Sequence, residues 1–246
     1  MNNDDVPVGR ILSRREVLEA LGAAGVVALA GPSVFAQTPV PGCVVVPAQT
    51  EGPYFVEEKL NRSDIRSDPT NGKASDGVPL DLTLRVYQLG PGCVPLAGAM
   101  VDVWQCDAMG LYSDVRDNNF DTRGQKFLRG HQMTDRDGLV KFRTVYPGWY
   151  PSRAVHIHFK IRTSPGEARG TEFISQLYFD EAMTDEVYKR APYNAHKGQR
   201  RMNAEDGIYR NGGEDLLLRV ARSGPAYAGR FELALEHNSQ LTTRNS

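Results

Sequence analysis

Leu80-Asp81-Leu82-Thr83-Leu84-Arg85-Val86 is the stretch from which the fold can be read. Its apolar and polar residues alternate strictly, placing Leu80, Leu82, Leu84 and Val86 on one side of an extended chain. A helix would need apolar residues three and four apart, so the segment predicts a half-buried β-strand. Gly90-Pro91-Gly92 follows as a turn. Outward from there, residues 99–106, 139–145, 155–161, 173–179 and 231–235 read as further strands, and Asp135-Arg136-Asp137-Gly138 as another turn. Only residues 184–190 read as helical, with Thr184 as the N-cap. Many short strands separated by turns predict a mostly β chain: a single-domain β-sandwich with short helices and long loops.

The 246 residues, 40% of them hydrophobic, suffice for one core. The 29 basic and 30 acidic residues nearly cancel, which gives no electrostatic footing for nucleic acid or a membrane surface. Neither a P-loop nor a dinucleotide-binding glycine motif occurs. Residues 1–36 carry the three-part pattern of a removed export signal: Arg10, Arg14 and Arg15, a mostly small and apolar stretch, and Val34-Phe35-Ala36 as the cleavage site. Ser13-Arg14-Arg15-Glu16-Val17-Leu18 resembles a twin-arginine signal, with Val17 where Phe is usual. The apolar stretch is short for a hydrocarbon core and broken by Gly and Pro, so the expectation is an exported chain, periplasmic or extracellular, without stable membrane insertion. Residues 37–76, with scattered Pro, Asn and Asp, read as an arm laid over the domain, and residues 77–246 as the sandwich itself. Cys43, Cys93 and Cys106 are too widely spaced for a zinc knuckle and suit one disulfide plus one free thiol, but their spacing does not choose the pair.

The strongest chemical signal is Arg153-Ala154-Val155-His156-Ile157-His158-Phe159-Lys160-Ile161. Val155, Ile157, Phe159 and Ile161 share one strand face, so His156 and His158 project together from the other. Two imidazoles so placed can bind one metal ion from a rigid support; two polar residues on a solvent face would look the same. The HExxH motif and any cysteine cluster are absent, and His131, His196 and His237 have no evident partner. Tyrosines stand in special settings instead: Tyr112 after Asp107-Ala108-Met109-Gly110-Leu111, and Tyr150 after Pro147-Gly148-Trp149. Phenolate is a hard oxygen donor with an ordinary pKa of about 10, so only a strongly Lewis-acidic ion such as iron(III) ionises it at neutral pH. Taken singly, each tyrosine reads as a packing residue with its hydroxyl at the surface, and Tyr54 and Tyr146 are equally available.

Several segments together resemble the intradiol ring-cleavage dioxygenases, the family of catechol 1,2-dioxygenase, hydroxyquinol 1,2-dioxygenase and protocatechuate 3,4-dioxygenase. They are Thr50-Glu51-Gly52-Pro53-Tyr54-Phe55, the run from Pro95-Leu96-Ala97-Gly98 to Trp104-Gln105-Cys106-Asp107-Ala108, and Gly110-Leu111-Tyr112-Ser113. Phe127-Leu128-Arg129-Gly130, Thr134-Asp135 with Gly138, and Pro147-Gly148-Trp149-Tyr150 running into Arg153 and the histidine pair complete the set. Any one is weak; in order, across residues 43–179, they are specific. The leader and Cys43 shortly before Thr50 resemble the exported branch of the family.

The resemblance implies Fe(III) held by Tyr112, Tyr150, His156 and His158, with water or hydroxide as a fifth ligand. Tyr150 and His156 would be axial, Tyr112 and His158 equatorial. It implies a catechol-type substrate and O2 as partners, cleavage between the hydroxylated carbons to a cis,cis-muconate-type product, and Tyr150 as an internal base when the substrate displaces it. Arg153 matches the family's active-site arginine, placed to stabilise developing negative charge, and Gln176 in Gln176-Leu177-Tyr178-Phe179 matches its glutamine near the substrate. The helical N-terminal segment through which catechol 1,2-dioxygenases dimerise has no counterpart here, so the assembly is open, a homodimer included. No basic residue is recognisable for a substrate carboxylate, which favours an uncharged catechol or hydroxyquinol over protocatechuate. Trp104, Asp107, Trp149 and Tyr54 are candidates for the pocket wall, Trp104 reading rather as core packing. Two other readings stand beside this one. A non-catalytic β-sandwich module binding sugars or small ligands would not need two tyrosines and two histidines together. Zinc or copper on the histidine pair would suit two phenolates less well.

Overall fold

The alternating stretch forms the middle of β1 (Pro79–Leu89) in a computed structural model that describes residues 44–90, 92–118, 120–163 and 170–236. Leu80, Leu82, Leu84 and Val86 are all fully buried, as the two-residue period predicts. β1 pairs antiparallel with β2 (Val94–Pro95) and β5 (Leu139–Val145), and parallel with β9 (Ala226–Glu236). Along the other side of β9 runs β8 (Arg219–Ser223), again antiparallel. The second sheet is antiparallel throughout, in the order β4 (Arg129–Met133), β3 (Met100–Trp104), β6 (His156–Arg162), β7 (Glu172–Tyr178).

The two sheets form a β-sandwich. Val101, Val103, Ile157, Phe159 and Ile161 of the second sheet share one buried cluster with Leu82, Leu84, Phe142 and Leu233 of the first. Phe159 on β6 meets Phe231 on β9 at 6.3 Å between ring centroids, a contact that crosses from sheet to sheet. Since alternate residues face opposite ways, His156, His158 and Lys160 point away from this core, onto the outer face of the second sheet. That face is not open to water: His156 and His158 are 2% and 1% exposed. The segment before β1 and the loops between β3 and β6 lie across it. Gln49 N–H donates to Ile174 O on the β7 edge (2.9 Å), and residues around Asn61 and Asp64 bridge to His131 and Arg143.

Several elements differ from the sequence expectation. The helix α1 runs Glu181–Tyr188, and its N-cap is Asp180, whose carboxylate accepts from Met183 N–H at 2.9 Å. Thr184 lies inside the helix, where its hydroxyl reaches Asp180 O (2.7 Å) and Tyr146 Oη (2.8 Å) instead of capping. β4 (Arg-Gly-His-Gln-Met) and β8 (Arg-Val-Ala-Arg-Ser) have no strong alternation and were invisible to periodicity; neighbouring strands impose their conformation. Cys93 is disulfide-bonded and Cys106 is a buried free thiol, while Cys43 lies outside the described residues. The export signal over residues 1–36 also lies outside them. No helix among the described residues is long and apolar enough to cross a membrane.

Candidate metal centre

The strand registers set a row of side chains across the outer face of the second sheet. Arg129 on β4 opposes Trp104 on β3, Trp104 opposes His158 on β6, and His158 opposes Gln176 on β7. His156 opposes Tyr178 in the same way. The two tyrosines come from loops. Tyr112 follows a tight turn in which the Asp107 carboxylate accepts from Met109 N–H and Leu111 N–H, both at 2.9 Å, and Gly110 takes a left-handed φ of 85°. Tyr150 follows Gly148, whose N–H donates to Asp107 O at 3.0 Å. A Cβ at Gly148 would lie 2.5 Å from the carbonyl oxygens of Asp107 and Ala108, so only glycine lets the two tyrosine-bearing segments close to this distance.

All four side chains predicted to bind metal meet at one point. His156 Nε2 lies 3.0 Å from His158 Nε2, 3.4 Å from Tyr112 Oη and 3.3 Å from Tyr150 Oη. Metal–ligand bonds of about 2.0–2.2 Å put neighbouring donors roughly 3–3.5 Å apart, so the spacing suits donors around one ion. His156 Nδ1 donates to Ala154 O (2.6 Å), which leaves Nε2 as the lone-pair nitrogen facing the cluster. His158 Nδ1 has no such partner among the described residues; its ring is held by Trp104, stacked on it at 4.8 Å and 8°.

Burial sets the protonation states. It drives the His156 pKa down to about 3, with Arg153 adding to the effect, and holds that of His158 well below the usual value with His156 adding to it. Both imidazoles are therefore neutral, the form that binds metals. Burial pushes the Tyr150 phenol up to about 12, against the pull of Arg153, and Tyr112 well above 10. Ionised phenols here need a strong cation to compensate them. Among the described residues no group of three or more His, Cys, Asp and Glu side chains is gathered to hold a metal, and the further donors beside the histidine pair are the two phenols. Two hard phenolate oxygens and two imidazole nitrogens match a trivalent iron better than zinc or copper.

Arg153 and Gln176 stand beside the four donors. Arg153 is 13% exposed at the side chain; its Nη2 donates to Gln176 Oε1 at 2.5 Å and its Nε to Asp206 at 3.0 Å. It is no surface ion pair. Gln176 is fully buried and donates from Nε2 to Thr50 O at 3.0 Å, tying the arm to β7. Tyr54 on the arm stacks on Tyr112 (4.6 Å, 27°), meets Tyr150 edge-on at 5.9 Å, and donates to Asp117 at 2.5 Å. Trp104 lines the cluster through its stack on His158, so its reading as core packing is too narrow. Trp149 instead stacks on His196 at 4.1 Å, which supplies the partner that His196 lacked in the sequence.

Two participants escaped the sequence reading. Tyr178 shares the strand face of Gln176 two residues on, and its hydroxyl donates to Gln49 Oε1 (2.9 Å) and lies 3.4 Å from Arg153 Nη2; alternation could have found it. Asp206 lies 53 positions beyond Arg153, in a region with no motif, and no sequence signal points to it.

Fold and cluster together define a β-sandwich protein with two phenols and two imidazoles gathered on one outer sheet face. Known proteins carry the assignment further. The sequence model of the family described as "Dioxygenase" matches residues 50–206, more than half of the chain. An intradiol ring-cleavage dioxygenase from Tetranychus urticae superposes with a TM-score of 0.69 at 32% identity, covering 81% of this chain and 98% of that one. The dioxygenase domain of a dioxygenase carbohydrate-binding protein fusion from Streptomyces sp. SirexAA-E gives 0.56 at 30% identity, covering 78% and 98%. The protocatechuate 3,4-dioxygenase beta chain of Burkholderia cepacia is 33% identical over 139 residues, 52% of this chain and 56% of that protein. This chain belongs to the intradiol ring-cleavage dioxygenase family. It spans about half the length of the curated relatives it matches.

Proposed function

We propose that the chain is an iron(III)-dependent intradiol dioxygenase that opens a catechol-type ring between its hydroxylated carbons, with O2, to a cis,cis-muconate-type product. The observation that carries this reading is the convergence of Tyr112, Tyr150, His156 and His158 within 3.4 Å of one imidazole nitrogen. Bound iron(III) would supply the Lewis acidity that ionises the phenols and makes a chelated catechol reactive toward oxygen.

The chain's own residues divide the remaining work. Tyr112 is fully buried and packed under Tyr54, which suits a permanent ligand. Tyr150 is only partly buried, and Arg153 favours its anion against the effect of burial, which suits the phenolate that takes a substrate hydroxyl proton at Oη. Arg153, held on its Nε and Nη2 sides, offers fixed positive charge where the ring or attacking oxygen becomes negative. Tyr54 and Trp104 keep water from the cluster with their ring faces. An uncharged diol is the favoured substrate: of the other cations on this face, Lys160 pairs with Glu51 and Glu172, Arg162 pairs with Asp102 and Glu57, and Arg129 is buried with its Nε and Nη2 donating to Ser113.

The test is a visible spectrum of the purified chain with its iron quantified, before and after anaerobic catechol, followed by admission of oxygen. The expected result is a phenolate-to-iron absorption band that moves to longer wavelength with catechol, then a muconate. A chain that stays colourless after iron(III) loading would sink the proposal and favour the binding module. Export is proposed on Arg14, Arg15 and Val34-Phe35-Ala36 alone; a mature chain found outside the cytoplasm and beginning at Gln37 is the expected result, and an unprocessed cytoplasmic chain would refute it.

A further inference from the structure

Asp206 is almost fully buried (1% exposed) and its carboxylate accepts four hydrogen bonds. Oδ2 accepts from Arg153 Nε at 3.0 Å and from Ala154 N–H at 2.7 Å. Oδ1 accepts from Ile208 N–H at 2.7 Å and Tyr209 N–H at 3.3 Å. The second pair anchors the carboxylate in its own turn, and the first pair grips the segment ahead of β6. Two site elements leave that segment. The Arg153 guanidinium is clamped along Nε by Asp206 and along Nη2 by Gln176, while Nη1 has no protein partner among the described residues. The Ala154 carbonyl accepts from His156 Nδ1 at 2.6 Å, which sets both the tautomer and the ring direction of His156.

We infer that Asp206 is a positioning residue for both halves of the site: it aims the free edge of Arg153 at the substrate, and through Ala154 it orients His156 toward the metal. This rests on the proposed function, since it needs a metal and a substrate at the cluster. Charge is part of the role, because the carboxylate is the only acidic group hydrogen-bonded to Arg153 among the described residues. Geometry is the other part. Both oxygens face N–H donors, so an amide would accept on one side and turn its NH2 against donors on the other, whichever way it flipped.

Asp206→Asn, compared with the iron-loaded wild type, tests this with two separate readouts. Iron affinity, measured by competition with a chelator, should fall about 10–100-fold, the usual consequence of losing a group that orients a ligand. kcat should fall by a similar factor with KM changed less, because Arg153 is misaimed toward charge that develops during the reaction. Arg153→Met separates the two paths: in that background Asp206→Asn should cost little further kcat but still the full loss of iron affinity. If Asp206→Asn does not fold, Asp206→Glu, which keeps the charge and shifts the carboxylate outward, carries the same readouts. An Asp206 variant matching the wild type in iron affinity and kcat would overturn the assignment. So would a kcat loss that adds in full to that of Arg153→Met. A wild type without the phenolate-to-iron band would remove the proposed function and this role together; a wild type with band and turnover beside an indifferent Asp206 variant would remove this role alone.

Discussion

Gly148→Ala should dismantle the metal centre without touching any of its four donors. The added Cβ would stand 2.5 Å from the carbonyl oxygens of Asp107 and Ala108, whereas ordinary contacts begin near 3.4 Å. Nothing flexible is available to yield, since the neighbours are backbone atoms of the turn that leads to Tyr112. The segments carrying Tyr112 and Tyr150 must therefore part by about 0.9 Å, beyond the roughly 0.5 Å within which a functional constellation tolerates displacement. The hydrogen bond from Gly148 N–H to Asp107 O would stretch with them. Overpacking of this kind costs about 1–3 kcal/mol, and a domain of this size loses roughly 2–4 °C of Tm per kcal/mol. The measurements are thermal unfolding of the metal-free protein and, on the folded protein, bound iron and the phenolate-to-iron band. A lower Tm together with loss of band intensity is expected. Wild-type iron content and an unchanged band in a folded Gly148→Ala protein would show that the approach of the two loops does not set the centre.

Gly52→Ala is a contrasting case: its φ of 72° costs a non-glycine residue roughly 1–2 kcal/mol, but the new Cβ would meet His158 Cε1 at 3.4 Å, an ordinary contact. Its Tm should drop while iron binding persists, and loss of iron at wild-type stability would contradict this. Tyr150→Phe should cut turnover by at least tenfold and shift the absorption band while Tyr112 keeps it visible; full activity with an unchanged spectrum would take Tyr150 out of the site. Acid should destabilise the metal-free protein. His156 holds off protonation until about pH 3, whereas the unfolded chain takes up the proton near 6.5, so the unfolded state binds more protons between these values and stability falls as pH drops through that window. The slope of stability against pH should be shallower in His156→Gln, and equal slopes would refute the contribution.

Period-two alternation carried most of the fold. Leu80 to Val86 and the strand from Val155 to Ile161 have buried faces that only an extended chain can sort, and the same rule put His156 and His158 side by side. Tyr112 and Tyr150 could be singled out only through the order of motifs resembling a known family, because a tyrosine after a glycine turn has no periodic signature. β4 has no signature in the sequence because Arg129, Gly130 and His131 take their conformation from β3, and α1 starts ahead of Thr184 because Asp180 accepts from Met183 N–H in its first turn.

Which side chains share a face is a local property of the backbone, fixed by chain stereochemistry, and needs nothing but the sequence. Burial of that face is not local. His156 and His158 stand on the side of β6 that alternation assigns to solvent, and it is the arm and the loops between β3 and β6 that remove the water, lower the imidazole pKa values and raise those of the phenols. The same holds for the glycine-thin contact of Gly148 with Asp107 and for the grip of Asp206 on Arg153, 53 residues away. Those contacts join segments distant along the chain, so they come into being only when the sandwich closes.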